Sequence, residues 1–276
     1  MTSVKELAKK WYYRLPFPKE YEEEFLEIIK KEKELEHLKI DAYETIKDGL
    51  NNQTILLYCL YFFEELSEWY EQEGLSVDMM IKGVKDLTIC VYRCVDGTKK
   101  VGLEPDMMAW MLRLLRKKLF RFERYQFEMS EAMEDVEKLG VKKGEPVVNI
   151  HIPAEGRLDT DRLLFEMKEA IAFLKKHFPT FEFTYFSCYS WVLDETLKEF
   201  LSEQANILAF QRLFEIVKHD KSEDVFKFMF RFRMQSREEL KNFHPETSFA
   251  KKIKTAGLEG REFYEGWGLF SKKELL

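Results

Sequence analysis

The spacing of apolar residues changes near residue 117, and this change constrains the fold more than any other feature of the sequence. Before it, apolar residues recur at helical intervals, as in the segment 19–37. After it, aromatic and charged residues mix as they do in strands, for example in the segment 147–152. The sequence therefore predicts an α+β protein with a helical N-terminal domain at 1–117 and a mixed α/β sheet domain at 118–276.

Individual elements follow from these patterns and from the Gly, Pro and Asn residues that interrupt them. In the first domain, helices are predicted at 19–37, 41–50, 53–72, 77–95 and 105–117. In the second domain, helices are predicted at 160–177, 195–201 and 247–256. Strands are predicted there at 119–129, 147–152, 181–191, 212–218, 224–233 and 267–270.

One predicted strand contains the run VFKFMFRFR at 225–233, in which phenylalanine occupies every second position. As a strand, this run would place its phenylalanines on one face and in a core. Lys227, Arg231 and Arg233 would lie on the other face with a methionine. That basic face is either solvated or lines an anion site.

The net charge of −6 disfavours nonspecific nucleic-acid binding, because phosphate contacts need a basic surface. A local exception is a group of cations interleaved with aromatic residues, formed by Arg113, Arg116, Lys117, Lys118, Arg121 and Arg124. This basic cluster is either an RNA-binding surface or the cationic C-terminal end of a helix that continues into a strand.

The four cysteines form no CxxC pair and have apolar neighbours, which predicts buried free thiols in a reducing compartment. The first twenty residues contain no apolar h-region, so no secretory signal is expected. No stretch approaches the roughly 20 apolar residues of a membrane span. We therefore expect a cytoplasmic protein without a membrane partner.

His151 is the strongest candidate for acid–base chemistry. In the predicted strand 147–152, His151 and Asn149 lie on the face opposite Val148 and Ile150. A histidine at a strand end can act as a general base, since its ordinary pKa lies near neutral pH. It can equally be structural, and Glu155 is the acidic residue that the sequence places nearest to it.

Several polar residues lie among apolar ones between 186 and 211. Cys188 and Ser190 share a strand face, but no GxSxG motif surrounds Ser190, which disfavours a hydrolase. Asp194 is predicted to cap the following helix. Asn206 and Gln211 flank an apolar run, and they bind either backbone groups or a ligand.

Five motifs resemble those of a bacterial family of acyltransferase-domain proteins, with a helical N-acyltransferase domain followed by a GNAT-like domain. They are YYRLPFPKEYEEEF at 12–25, HIPAEG at 151–156, HFP at 177–179, CYSWVLD at 188–194 and ANILAFQ at 205–211. The resemblance covers nearly the whole chain. It implies a GNAT-like sheet, with acetyl-CoA or another acyl-CoA as co-substrate and a small-molecule amine as acceptor.

The resemblance also implies roles for individual residues, which we state as hypotheses. His151 would be the base that deprotonates the amine, and Tyr189 or Ser190 would assist the leaving thiolate. The substrate-binding residues would be Trp191, Asn206 and Gln211. The phosphate groups of CoA would be bound by Arg231, Arg233 and Arg237. The oligomeric state does not follow from the sequence.

GNAT enzymes bind the CoA pyrophosphate through a loop of the form [RQ]xxGx[GA], which leads from a central strand into a helix. The expected place follows the predicted strand 224–233, yet the next segment, MQSREELKNFHPETSFAKKI at 234–253, contains no glycine. The sequence carries neither GxxxxGK[ST] nor a metal-binding motif. Two functions stay open: an acyl-CoA-dependent N-acyltransferase, and a non-catalytic small-ligand or protein-binding module on a GNAT-like scaffold.

Overall fold

The structure, a computed structural model, describes residues 3–31, 39–231 and 234–275. Internal contacts divide the chain into two compact units, residues 1–122 and 123–276. The first unit is helical and the second contains a mixed sheet with helices, so the predicted fold class is confirmed.

The first unit contains seven described α-helices and one short strand. The helices are α1 (Val4–Tyr12), α2 (Glu22–Lys31), α3 (Tyr43–Ile46), α4 (Asn52–Gln72), α5 (Val77–Val84), α6 (Asp86–Thr98) and α7 (Pro105–Leu115). The strand β1 is Leu119–Arg121. The single helix predicted at 77–95 is interrupted at Lys85, and residues 32–37 of the helix predicted at 19–37 lie outside the described residues.

Helix α4 is central to this unit, as its nearly continuous apolar sequence indicates. The Asn51 side chain accepts a hydrogen bond from the Thr54 amide and so caps its start. Most of its first twelve residues are buried. The buried indole of Trp11 from α1 packs edge-on against Phe63 and donates to Glu64 Oε2 at 2.8 Å. Hydrophobic burial along α4 therefore organises the unit.

The second unit contains strands β2 (Gln126–Glu131), β3 (Pro146–His151), β4 (Tyr185–Ser190), β5 (Glu215–Lys221) and β6 (Tyr264–Ser271). They are hydrogen-bonded in the order β2-β3-β4-β6-β5. Strands β3 and β4 are parallel, and the other neighbours within this unit are antiparallel. The helices are α8 (Thr160–His177), α9 (Asn206–Gln211), α10 (Asp224–Met229) and α11 (Ser248–Leu258).

The strand predicted at 224–233 is wrong, because residues 224–229 form helix α10. Phe226 is fully buried and Phe230 packs against the same hydrophobic cluster, while Phe228 is 46% exposed. Two residues four positions apart share a helix face, and here that face is the buried one. Packing against this cluster therefore overrides the strand propensity of the phenylalanines. Residues 232 and 233 lie outside the described residues.

The basic cluster contacts groups within its own units. In the first unit, Arg121 forms a buried ion pair with Asp86, and the Arg113 guanidinium lies over the Trp110 ring. In the second, Arg124 binds backbone carbonyls. These contacts favour the structural interpretation of the cluster over an RNA-binding surface.

All four cysteines are buried free thiols, as predicted. Burial raises the pKa of the Cys188 thiol to about 12, so it stays protonated and is a poor nucleophile. No helix in the described part of the chain is long and apolar enough to cross a membrane.

Candidate active site

The parallel strands β3 and β4 separate towards their carboxyl ends. Their register pairs Val147 with Tyr185, Val148 with Phe186, and Asn149 with Ser187. Among the described residues, no further pair joins the two strands, although β3 continues for two residues and β4 for three. We call this opening the β3–β4 gap. Ligands commonly bind beyond the carboxyl ends of parallel strands, so the gap is the candidate site.

His151 is the last residue of β3 and lies at the edge of this gap. Its Nε2 is 2.7 Å from Glu128 Oε2 and 3.3 Å from Asn149 Nδ2. The three side chains share a face because β2 pairs antiparallel with β3, with Glu128 opposite Asn149. The carboxylate that contacts His151 is therefore Glu128, and the expectation that Glu155 is its nearest acidic companion is wrong.

Asn149 contributes a second polar group to this cluster. Its Oδ1 is buried and makes no hydrogen bond within the described part of the chain. A buried polar atom without a partner costs about 1–3 kcal/mol. Such a cost is tolerated more often at functional sites than elsewhere.

Tyr189 and Ser190 end β4 on the other side of the gap. The Tyr189 hydroxyl donates to Asp220 Oδ2 at 3.1 Å. Burial and the neighbouring carboxylates Asp220 and Glu265 hold the pKa of the Tyr189 phenol well above its usual range. Ser190 Oγ accepts a hydrogen bond from the Val192 amide at 3.2 Å, so it caps the short turn that follows β4.

The three residues expected to bind substrate lie in the segments that follow the gap. Trp191 is half-buried and packs against the hydrophobic cluster around Phe226. Asn206 Nδ2 donates to the Leu158 carbonyl at 2.7 Å. Gln211 Nε2 donates to the carbonyls of Val192 and Asp194, at 2.8 and 2.9 Å. Both amides thus bind backbone groups, and substrate contact by these residues stays a prediction.

Asp194 caps the 3-10 helix Glu195–Glu199, as predicted. Its buried carboxylate accepts hydrogen bonds from the Thr196 amide at 2.9 Å and from the Tyr264 amide at 2.9 Å. These contacts assign Asp194 to the structure of the turn after β4.

A loop at residues 152–159 leads from the central strand β3 into helix α8, and we call it the β3–α8 loop. Its Gly156 has a φ of +79°, which glycine adopts without strain. Residues 224–229 form a helix, so a loop that leads from a central strand into a helix does not follow the segment 224–233 where one was expected. The glycine of HIPAEG lies between a predicted strand and the predicted helix 160–177, and it marks the β3–α8 loop in the sequence.

Side chains bind the carbonyls of the β3–α8 loop from one side. The Arg124 guanidinium donates to the carbonyls of Pro153, Gly156 and Arg157, at 2.9, 3.2 and 2.8 Å. The Tyr125 hydroxyl donates to the Asp159 carbonyl and accepts from the Asp159 amide, at 2.9 and 3.0 Å. Within the described residues, the amides of Gly156 and Arg157 donate to no protein group. The loop can therefore present N–H groups to an anion beside the N-terminus of α8.

The arginines expected to bind phosphate have other partners in the structure. Arg237 Nε donates to Glu223 Oε2 at 2.8 Å, and its Nη1 donates to the Arg261 carbonyl at 2.7 Å. Arg231 Nη1 lies 3.7 Å from Glu239 Oε2. Arg233 lies outside the described residues. Phosphate binding by these three arginines stays a prediction.

A cavity of about 420 Å³ lies at the same end of the sheet as the gap. Its lining includes Glu265 near the start of β6, which runs antiparallel to β4 and so begins where β4 ends. Burial and the neighbouring carboxylate of Asp224 raise the pKa of Glu265 to about 7. The remaining lining residues are Lys221, Ser222, Glu223, Asp224, Lys227, Met234, Gln235, Ser236 and Arg237.

Comparison with known proteins adds a family match and similar solved structures. The sequence model of the protein family described as the GNAT-like C-terminal domain matches residues 119–270. No curated protein matches the chain by sequence. An acyltransferase in complex with decanoyl-CoA is 19% identical, with a TM-score of 0.73 over 96% of this chain and 87% of that chain. A mutant acyltransferase in complex with octanoyl-CoA is 18% identical, with a TM-score of 0.76 and the same coverage.

A third structure, an acyltransferase in complex with decanoyl-CoA and teicoplanin, is 18% identical, with a TM-score of 0.75. The match covers 98% of this chain and 89% of that chain. At these identities the likeness establishes the fold.

Proposed function

The chain belongs to the GNAT-like C-terminal domain family, and from this membership we propose that it is an acyl-CoA-dependent N-acyltransferase. The observation that carries the proposal is the β3–β4 gap, with His151 at the end of one strand and Ser190 at the end of the other. An acyl-CoA thioester in this gap would lie beside a base and a hydroxyl group.

We propose a fatty acyl-CoA of eight to ten carbons as the donor. The support is the shared fold with acyltransferases that were crystallised with octanoyl-CoA and decanoyl-CoA. Because acyl-CoA is the co-substrate, we place the reaction in the cytoplasm. The acceptor would be the primary amine of a small molecule.

The pyrophosphate of CoA would bind the amides of the β3–α8 loop and the N-terminus of α8. Anions are stabilised there by the orphan N–H groups and by the helix dipole. The exposed Arg157 side chain is a cation close to this place, and it replaces the arginines of 231–237 as the first phosphate ligand to test.

In the transfer, the acceptor nitrogen forms a bond to the thioester carbonyl carbon, and the carbon–sulfur bond then breaks. His151 takes a proton from the amine, and the CoA thiolate leaves with a proton. Tyr189, which the strand register places on the same face of the sheet as His151, or Ser190 would donate that proton. The donor would regain a proton from solvent, to which the His151 imidazolium releases the proton of the amine. The products are an amide and free CoA.

The alternative of a non-catalytic binding module depended on the missing glycine in 234–253. The segment that leads from a central strand into a helix is instead 152–159, and it contains Gly156. The missing glycine therefore does not bear on CoA binding, and the transferase is favoured.

The first experiment is thermal unfolding with CoA, acetyl-CoA, octanoyl-CoA and decanoyl-CoA. A ligand at 100 times its Kd stabilises the folded state by about 2.7 kcal/mol, so we expect an increase in Tm of several degrees for the longer acyl-CoAs. Release of the CoA thiol is then followed with a panel of primary amines: an amino sugar, an amino acid, a polyamine and an aminoglycoside.

His151→Ala should lower the rate of transfer by about 100-fold or more, because general-base catalysis contributes roughly 10²–10⁴. Its stabilisation by decanoyl-CoA should be unchanged. The exposed His244 gives a matched control, and His244→Ala should transfer normally. The absence of a Tm shift with every acyl-CoA would refute the transferase and favour a module for another ligand.

A further inference from the structure

We propose that Glu128 is a positioning residue, which holds the His151 ring with its proton on Nε2, so that Nδ1 is the nitrogen that accepts the proton of the amine. This inference rests on the proposed transferase function. Glu128 does not follow from the sequence motifs, and it lies on a strand that precedes all motifs of the C-terminal domain.

The contact between Glu128 and His151 is short and protected. The distance from His151 Nε2 to Glu128 Oε2 is 2.7 Å, and the side chains are 19% and 12% exposed. Their backbones are fixed by the β2–β3 ladder, in which Glu128 lies opposite Asn149 and His151 lies opposite Gln126. Because both side chains project from rigid strands and are mostly shielded from water, the ring is held by the sheet.

The chemistry of the two groups determines the tautomer. An ionised carboxylate only accepts hydrogen bonds, so the ring nitrogen that faces it must carry a hydrogen. In the neutral ring, a proton on Nε2 leaves the lone pair on Nδ1. When Nδ1 takes a proton from the amine, the imidazolium that forms is stabilised by the same carboxylate.

Asn149 contributes to the same orientation. Its Nδ2 lies 3.3 Å from His151 Nε2, whereas Glu128 Oε2 lies 2.7 Å from the same nitrogen. The single hydrogen on Nε2 is therefore directed to the nearer carboxylate, and the Asn149 amide packs beside the ring.

The tautomer is tested by NMR of protein with ¹⁵N-labelled histidine. The chain has five histidines, and His151→Ala identifies the signal of this one. The wild type should show a protonated Nε2 and an unprotonated Nδ1. In Glu128→Ala and Glu128→Gln, the populations of the two tautomers should mix, and the two nitrogen signals should move towards each other. A wild-type ring with its proton on Nδ1 overturns the proposal.

The positioning role is tested by release of CoA from decanoyl-CoA, with the amine of the panel that reacts fastest. Carboxylates that orient a metal-ligating histidine typically contribute about 10–100-fold in activity, and we take the same range for Glu128. We expect a fall in kcat of this size for both variants, and less than a twofold change in the KM for decanoyl-CoA. Glu131 is an exposed residue of the same strand, and Glu131→Gln should leave both constants unchanged.

The isosteric Glu128→Gln keeps the proposal testable if Glu128→Ala does not fold. The NMR measurement needs neither the acyl-CoA nor the amine substrate. The positioning role of Glu128 and the transferase function can therefore fail separately. An inactive wild type with the proton on Nε2 refutes the transferase function and supports the proposal that Glu128 fixes the tautomer of the His151 ring. An active wild type with unimpaired Glu128 variants overturns the positioning role and leaves the transferase intact.

Discussion

Two glycines of β6 allow the turn after β4 to approach the sheet. A Cβ atom at Gly266 would lie 2.5 Å from the Leu193 carbonyl oxygen, and one at Gly268 would lie 2.7 Å from the Phe214 Cβ. The turn Trp191–Leu193 can therefore pack directly over β6. This contact fixes the path of the chain immediately after Ser190.

Gly266→Ala should destabilise the protein by about 1–3 kcal/mol, because the added methyl group meets backbone that cannot move away easily. We expect the Tm to fall by several degrees in thermal unfolding. Gly49 has open space around it and a negative φ, so Gly49→Ala is the matched control and should leave the Tm nearly unchanged. A normal Tm for Gly266→Ala would mean that the turn Trp191–Leu193 can move away from β6 without loss of stability.

Gln211→Leu distinguishes a structural role from substrate binding. Its amide group satisfies the carbonyls of Val192 and Asp194, and the loss of a buried hydrogen-bond partner costs about 1–3 kcal/mol. We expect a lower midpoint of urea unfolding and only a modest change in the KM for the acceptor. A variant of normal stability with a greatly raised KM would instead assign Gln211 to the substrate.

The residues of the candidate site were only partly accessible from the sequence. His151 could be found because strand alternation places it on the polar face of β3 with Asn149. Glu128 could not be found in the same way, because it lies 23 positions earlier and meets His151 only through the register of β2 and β3. Register depends on the pairing of whole strands, and a local pattern does not report it.

At the scale of elements, the β3–α8 loop is held by groups that precede or follow it in sequence. Arg124 and Tyr125 lie just before β2, and Asn206 begins α9. The residues before β2 are themselves fixed, because the buried carboxylate of Glu166 in α8 accepts the amides of Arg124 and Tyr125 at 2.9 Å each. The loop is therefore ordered before any ligand binds.

Arg124→Ala should weaken the binding of decanoyl-CoA by about tenfold, because the loop amides would lose their fixed direction and binding would have to order them. Isothermal titration calorimetry measures the affinity, and limited proteolysis of the loop reports its order. Arg212 is an exposed arginine of the same unit, and Arg212→Ala should bind normally. Unchanged affinity in Arg124→Ala would place the phosphates elsewhere.

The predictions for helices and strands were of mixed accuracy: no helix was predicted at α1 or α9, and α10 was predicted as a strand. The prediction for α8 matches the observed bounds, because its helical apolar period stops before a proline. In the structure the Asp159 side chain caps its start. The predicted strand 119–129 is two strands, and the run at 225–229 is helical. At 225–229 the sequence suits a strand locally, while the packing that decides the outcome comes from distant residues such as Ile253 and Phe263.

At the scale of the whole molecule, the change in apolar spacing near residue 117 predicts the two-part organisation. The family model covers only residues 119–270, while the similar acyltransferase structures align with up to 98% of the chain. The fold of the helical N-terminal part is therefore similar to that of those proteins, although the family match does not include this part of the chain.

The stability of the whole protein should depend on pH through Glu265. Burial and Asp224 raise the pKa of Glu265 from 4.5 to about 7 in the folded state. Between pH 4.5 and 7, the folded state therefore binds more protons than the unfolded state, and stability falls as the pH rises. Above pH 7 the carboxyl is ionised in the folded and in the unfolded state, and the loss of stability caused by its burial no longer changes with pH.

Glu265→Gln cannot ionise, so it should melt at a higher temperature than the wild type at pH 8. This difference should shrink as the pH falls to 4.5, where the wild-type carboxyl is largely protonated in the folded state. Thermal unfolding at several pH values measures it, with the exposed Glu203→Gln as control. A difference in Tm that does not change with pH would mean that Glu265 ionises as freely in the folded protein as in the unfolded chain.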